Sequence, residues 1–299
     1  MLNFLEKVII IGFQMKNGYF KNIKIESKNS YNQPLQKISY KPSMFGFRDI
    51  CCDGKYVRIS IIDSGLPNHD SILVDEYKSK NFSLSEKVSD INGHSTALSG
   101  ILAANGNKGI KGIAPHADLF FAKVLSDDGY GSFDAVIDAI LWSIVRDVDI
   151  ILMAFGCPFE HKGLHDVIKK AYKSGIHMFA AAGNCSIKTK DVDFPARYDE
   201  VFAVGYSKNI VCNEIISNSK TKGIVLPFGE FETTFLNSNF TRVSGSSMFT
   251  AALAGIGVLF FQNMRSKGID VKKEHILYEE IRSNMFTKID GDVFNASCS

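Results

Sequence analysis

From Tyr56 onward, short β-branched or apolar runs alternate with helical patterns, and this alternation leaves the chain few folds. Strands joined through helices lie parallel in one sheet, with the helices covering it. The strand runs are residues 56–63 (YVRISIID), 119–125 (LFFAKVL), 149–155 (DIILMAF), 177–183 (HMFAAAG) and 201–206 (VFAVGY). Between them, SFDAVIDAILWSIV places Phe133, Val136, Ile137, Ile140, Leu141, Ile144 and Val145 at helix period, with Ser132 as the N-cap. GLHDVIKKAY repeats the pattern more briefly, and TAALAGIGVLFFQNM is apolar on nearly every side, so that helix belongs in the core. The expected fold is α/β: a doubly wound, mostly parallel sheet with helices on both faces, in three layers. Residues 1–50 are polar, mixed and tyrosine-rich and read as an extension wrapping a domain of residues 51–299.

With 45% hydrophobic residues in 299, the chain can bury a large core, and a net charge of +2 implies neither nucleic acid nor an anionic membrane as a partner. Residues 8–13 (VIIIGF) are too short for a signal h-region and lack a small-residue cleavage site, so they read as a short buried strand. No run approaches the about 20 apolar residues of a membrane span. Six cysteines at irregular spacing, two of them adjacent, read in so long a chain as free thiols in a reducing compartment, hence the cytoplasm.

In an open parallel sheet, catalytic groups gather beyond the carboxyl ends of the strands. There the sequence places Asp63, the Ala154–Phe155–Gly156 segment and Asn184, while two helical patterns begin at His94 and Ser247. Acyl transfer needs a nucleophilic oxygen, a base, an acid that orients the base, and donors for an oxyanion. Ser247, His94, Asp63 and Asn184 supply that set. At a helix N-terminus, unpaired N–H groups and the helix dipole favour negative charge developing at Ser247.

The segments IIDSG, NGHSTALSGILAA, KGIAPHADLFFAKVL, ILMAFG, AAAGN, FPARYDEVFAVG and SGSSMFTAALAG, spread over residues 56–264, resemble those of subtilisin-like serine proteases, in that family's order of Asp, His and Ser. The resemblance implies that Ser247 is the nucleophile, His94 the general base, Asp63 the carboxylate that fixes the imidazole tautomer, and Asn184 the side-chain oxyanion donor beside the Ser247 backbone N–H. It also implies a peptide or precursor-protein substrate bound in extended form along Ala154, Phe155 and Gly156. Ala181, Ala182 and Gly183 would wall the pocket for the residue before the cut, and Asp193 would form its floor and favour a basic or hydrogen-bonding side chain.

Where the family's serine motif continues with alanine, proline and histidine, this chain has Phe249, Ala251 and Ala252, a change that bears on packing rather than chemistry. The loop AANGNKGIKGIAP offers only Asn105 and Asn107 as side-chain oxygens, so the tight calcium site of the family's secreted members is expected to be missing, and no cofactor is expected, with calcium the one candidate left open. The lack of a signal and of a full prodomain resembles intracellular leader peptidases that trim lantibiotic precursors, acting as monomers. Three alternatives remain: a general intracellular subtilisin-type protease, a metal hydrolase using Cys157, His161 and His165, though no HExxH exists, and a protease-like binder that holds a peptide without cutting it. Cys157 and Cys185 flank the expected site and read first as small buried hydrophobes, with inhibition by oxidation as the functional alternative. A histidine base of ordinary pKa, about 6.5, would set the acid limb of activity.

Overall fold

Alternation along single strands decides the layers. In β1 (Arg58–Asp63), Ile59 and Ile61 enter one hydrophobic cluster while Ile62 enters another on the opposite side. The structure, a computed structural model, describes residues 15–16, 19–21, 30–183, 192–206, 223–226 and 229–285. The remaining strands of the main sheet are β2 (Ser79–Asn81), β3 (Asp118–Lys123), β4 (Ile150–Met153), β5 (His177–Ala181), β6 (Val201–Tyr206) and β7 (Gly223–Leu226). They lie in the order β7-β6-β5-β4-β1-β3-β2, and every neighbouring pair is parallel. Burial on both faces explains why the central strands read as almost unbroken apolar runs.

Helices α1 (His94–Ala103) and α4 (Ser246–Ser266) contribute to the first cluster; α2 (Phe133–Val145) and α3 (Lys162–Lys173) contribute to the second. The result is the expected three-layer α/β/α arrangement. Ser132 caps α2 by accepting from the Ala135 N–H at 3.2 Å. The one polar residue that β1 sends into the second layer, Ser60, is satisfied by the Ser143 hydroxyl at 2.8 Å.

The sequence expectation that no run approaches a membrane span needs correcting. Helix α4 is long and apolar enough by length and composition, with a mean hydropathy of 1.4, but 89% of its apolar window is buried inside the protein. It packs on β5, β6 and α1 as the core helix.

Several strands stop short of the apolar runs that announce them. Past Lys123, the Val124 and Leu125 N–H groups both donate to the Asp63 carbonyl, at 2.8 and 3.2 Å, so the ladder closes into a turn. The run at 149–155 is strand only over Ile150–Met153, and that at 177–183 only over His177–Ala181. Strands β2 and β7 and an antiparallel hairpin (Phe231–Phe235 with Asn239–Val243) were not foreseen. The hairpin is fastened to α1 by hydroxyl bonds of 2.7 Å from Thr233 to the Ala97 carbonyl and from Thr234 to the Thr96 carbonyl.

Among residues before 51, Ile38–Ser39 runs parallel to Ile110–Lys111, and Tyr40, Phe45 and Phe47 are buried in the first cluster. Met15–Lys16 pairs with Tyr19–Lys21, which pairs antiparallel with Tyr130–Ser132. The apolar run at 8–13 lies outside the described residues.

Strand β1 sits between β3 and β4. After β1 the chain goes to the edge strand β2, returns inward to β3 beside β1, then crosses to β4 on the other side of β1 and builds outward from there. The carboxyl ends of β1 and β4 therefore flank the point where strand order reverses, where open α/β sheets form their binding crevice.

Candidate active site

Asp63 is the last residue of β1 and is fully buried; His94 opens α1 and is 1% exposed. His94 Nδ1 lies 2.8 and 2.9 Å from the two carboxylate oxygens of Asp63. A carboxylate can only accept, so Nδ1 carries the proton and Nε2 presents a lone pair. Asp63 is itself held by the Ser64 N–H, which donates to Oδ1 at 2.7 Å.

The α1 terminus bearing His94 is shaped by Gly93, whose φ of +92° is left-handed backbone and whose missing Cβ leaves room for the Phe235 ring. Burial disfavours a charged ring at His94, yet the attraction of Asp63, its hydrogen bond and a smaller attraction from Asp90 together hold the His94 pKa above the ordinary histidine value. This corrects the sequence expectation of an unshifted histidine.

Ser247 is the second residue of α4, 3% exposed, and follows Gly245 at a φ of +133°. Its hydroxyl does not reach the imidazole. It donates to the Ala154 carbonyl at 2.7 Å, and His94 Nε2 is buried without a hydrogen-bond partner. The expected row of carboxylate, imidazole and alcohol is thus joined at the first link and open at the second. Ala154 immediately follows β4, the neighbour of β1, so the serine is anchored at the same end of the sheet as Asp63.

The other sequence-predicted residues cluster beside it. Gly156 faces Asp193: a Cβ added there would lie 2.8 Å from the Asp193 Cβ. Gly183, at a φ of +80°, faces the same carboxylate, and a Cβ there would overlap Asp193 Oδ2. The Asp193 N–H donates to the Ala182 carbonyl at 3.2 Å, and Cys157 and Phe194 exchange backbone bonds of 2.7 and 2.8 Å. Phe155, Ala181 and Ala182 are buried around this fold of the chain. Asn184, the expected oxyanion donor, and Cys185 lie outside the described residues.

The rival metal ligands are otherwise engaged. His161 caps α3 by accepting from the Leu164 N–H at 3.2 Å and stacks on Phe133, His165 pairs with Glu200 at 3.2 Å, and the Cys157 thiol donates to the Phe159 carbonyl at 3.3 Å. Among the described residues no group of three or more His, Cys, Asp or Glu could hold a metal ion. Burial also pushes the Cys157 pKa up to about 11, which leaves the thiol protonated and a poor target for oxidation.

A family model described as the Subtilase family matches residues 54–288. The chain belongs to the subtilase family. Minor extracellular protease Epr of Bacillus subtilis (strain 168) is 34% identical over 238 residues, covering 78% of this subtilase and 35% of that protein. Major intracellular serine protease of the same organism is 32% identical over 214 residues, covering 68% and 67% of the two chains. Subtilisin E, also from that strain, is 32% identical over 211 residues, covering 69% and 55%. The subtilase chain therefore spans from about a third to about two thirds of these relatives' own length.

Sequence reasoning missed a set of buried polar groups behind the histidine of this subtilase: Ser64, Asp90, Thr96 and Lys123. The available signal was an aspartate and a threonine on either side of a glycine–histidine helix start, the composition of a capped N-terminus.

Proposed function

We propose that this chain is a serine endopeptidase in which Ser247 attacks the peptide carbonyl, His94 moves the proton, Asp63 orients and compensates the imidazole, and Asn184 with the Ser247 backbone N–H receives the oxyanion. The observation that carries this reading is the buried Asp63–His94 pair, whose Nε2 lone pair is unused while a serine hydroxyl is anchored beyond the adjacent strand. On binding substrate, the Ser247 hydroxyl leaves the Ala154 carbonyl and gives its proton to Nε2 as Oγ bonds to the scissile carbon. The carbonyl electron pair moves onto oxygen. As that pair returns, the C–N bond breaks and the imidazolium protonates the departing amine, leaving an acyl-enzyme that water releases by the same steps. Loss of a side-chain oxyanion donor costs about 10²–10³ in turnover, the penalty expected for Asn184→Ala.

The substrate is placed in extended form along residues 154–156, with residues 181–183 as the wall and Asp193 as the floor of the pocket for the side chain before the cut. Support comes from the two glycines that leave space at the Asp193 carboxylate. A carboxylate in that pocket favours a basic side chain and narrow, site-specific processing of a precursor, of which lantibiotic leader removal is one case.

Likeness to intracellular serine proteases supports a cytoplasmic location, although other relatives are extracellular, and we assign the chain as a monomer. The burial of Tyr40, Phe45 and Phe47 supports residues 1–50 as an extension packed onto the catalytic domain. We assign the activity without a tight calcium site: Asn105 Oδ1 accepts the Asn107 N–H at 2.9 Å, and no carboxylate lies in that loop.

A fluorophosphonate probe tests the assignment. It should label the wild-type chain and leave Ser247→Ala unlabelled, with cleavage of a mixed peptide library lost in the same variant. Equal labelling of both, or binding of peptides without cleavage by either, would overturn it.

A further inference from the structure

Behind His94 stands a second buried carboxylate that the triad does not include. Asp90 is 3% exposed and accepts four hydrogen bonds: from the Ser64 hydroxyl at 2.9 Å, the Gly93 N–H at 2.8 Å, and the Thr96 N–H and hydroxyl at 2.8 and 2.6 Å. Three of these donors belong to Gly93, one residue before His94, and Thr96, two residues after it, so Asp90 fixes the turn from which the imidazole projects. The fourth, Ser64, is the residue after Asp63.

Ser64 bonds to Asp63 and to residues on both sides of His94. Its N–H donates to Asp63 Oδ1, its hydroxyl donates to Asp90, and the same oxygen accepts the Ser95 N–H at 2.9 Å. Its carbonyl accepts at 2.7 Å from the ammonium of Lys123, a fully buried lysine on β3 that also reaches the Ser89 carbonyl and Asp127. The end of β1, the start of α1 and the end of β3 are therefore tied at one residue. Buried polar groups are costly unless satisfied, and networks that satisfy every member rigidify their surroundings.

We propose that Asp90 and Ser64 are positioning residues for the Asp63–His94 pair: Asp90 holds the helix start that carries His94, and Ser64 locks that start to the strand end that carries Asp63. This rests on the serine-protease reading, and it adds a carboxylate outside the triad whose charge faces the imidazole. The charged groups gathered around His94 are Asp63 at the end of β1, Asp90 in the turn before α1, and Lys123 on β3, which acts on the far side of Ser64.

Two variants separate geometry from charge. Asp90→Asn keeps the shape, removes the charge and leaves the amide unable to accept from all four donors. A displacement of about 1 Å can cost about 10²-fold in rate, so kcat should fall between about 10- and 100-fold with KM nearly unchanged, and the acid limb of kcat/KM should move to lower pH. Ser64→Ala removes the lock and keeps the charge: kcat should fall by about 10-fold with the acid limb unmoved.

The His94 Nδ1 proton, followed by NMR through a pH titration of the full chain, reads the same effect without turnover. Its midpoint should drop in Asp90→Asn and hold in Ser64→Ala. Unchanged kcat and titration in Asp90→Asn would overturn the proposal, as would a loss of activity that only tracks a lower folded fraction with the pH profile intact. If Asp90→Asn does not fold, Ser64→Ala decides by its kcat at full foldedness. Should the wild type neither cleave nor label, the protease reading fails while the NMR titration still tests the positioning role.

Discussion

The Ser247 hydroxyl donates to the Ala154 carbonyl oxygen at 2.7 Å, so it rests on the residue that follows β4 and not on the His94 imidazole. His94 Nε2 holds no hydrogen bond in that state. Burial opposes charge on this imidazole, and Asp63, bonded at Nδ1, with a weaker attraction from Asp90, outweighs it and holds the pKa above the ordinary value.

The first prediction concerns pH. His94 must be neutral to accept a proton, and its pKa is raised, so kcat/KM should begin to fall at a higher pH than an ordinary histidine near 6.5 would dictate. Because Ser247 does not bond to the ring, Ser247→Ala should leave the NMR titration midpoint of His94 where it is in the wild type. A midpoint at or below 6.5, or one that shifts in Ser247→Ala, would contradict the resting geometry.

On the proposed substrate placement, Gly183→Ala should damage the pocket for the side chain before the cut. The new methyl overlaps Asp193 Oδ2, and the φ of +80° is strained for alanine. Pocket changes of one methyl group are worth roughly 10- to 200-fold in discrimination. The kcat/KM for peptides with a basic residue before the cut should fall within that range relative to peptides with a small residue there. An equal loss for both classes would place Asp193 outside the pocket.

Phe249→Ala should be costly for stability. Phe249 is 2% exposed and meets the Phe231 ring edge-on at a centroid distance of 4.9 Å, and Phe231 stacks in turn on Phe45. Truncating a buried phenylalanine costs about 3–5 kcal/mol, measurable by urea denaturation. A loss under about 1 kcal/mol would mean that the site collapses around the smaller side chain.

Acid should weaken the fold through His177. Burial, with lesser pushes from His275 and Lys272, depresses its pKa to about 4, against the opposing hydrogen bond to the Val271 carbonyl. The unfolded chain takes up this proton near 6.5 and the folded chain does not, so the contribution is present above about 6.5 and is lost as pH falls toward about 4. The full effect is on the order of 3 kcal/mol. Urea midpoints of the wild type should drop across this window more than those of His177→Phe; parallel drops would remove His177 as the cause.

Much of the architecture was legible because the sheet is buried on both faces. The Val201–Tyr206 strand matches its apolar run from end to end. Where a run outlasted its strand, as at Val124, Leu125 and Ala154, backbone groups converge on the last carbonyl of β1, at Asp63, or accept from Ser247 instead of continuing the ladder, and periodicity carries no record of that switch. Ser79–Asn81 is a short polar edge, and Thr233 and Thr234 are buried only because α1 offers them carbonyls, so neither stretch looks like core in one dimension. The Asp63–His94 contact was legible from strand and helix ends. The roles of Ser64, Asp90 and Lys123 were not, because a buried polar network is specified by partners remote in the chain.

Helix α4 reaches the core only after the sheet's last strand has been made, and it brings the alcohol with it. On the proposed chemistry, a nascent chain that has not yet threaded this plug owns a base and its carboxylate but nothing that can attack. On that reading the chain would be harmless to itself and to its neighbours until synthesis had passed the segment that completes the interior.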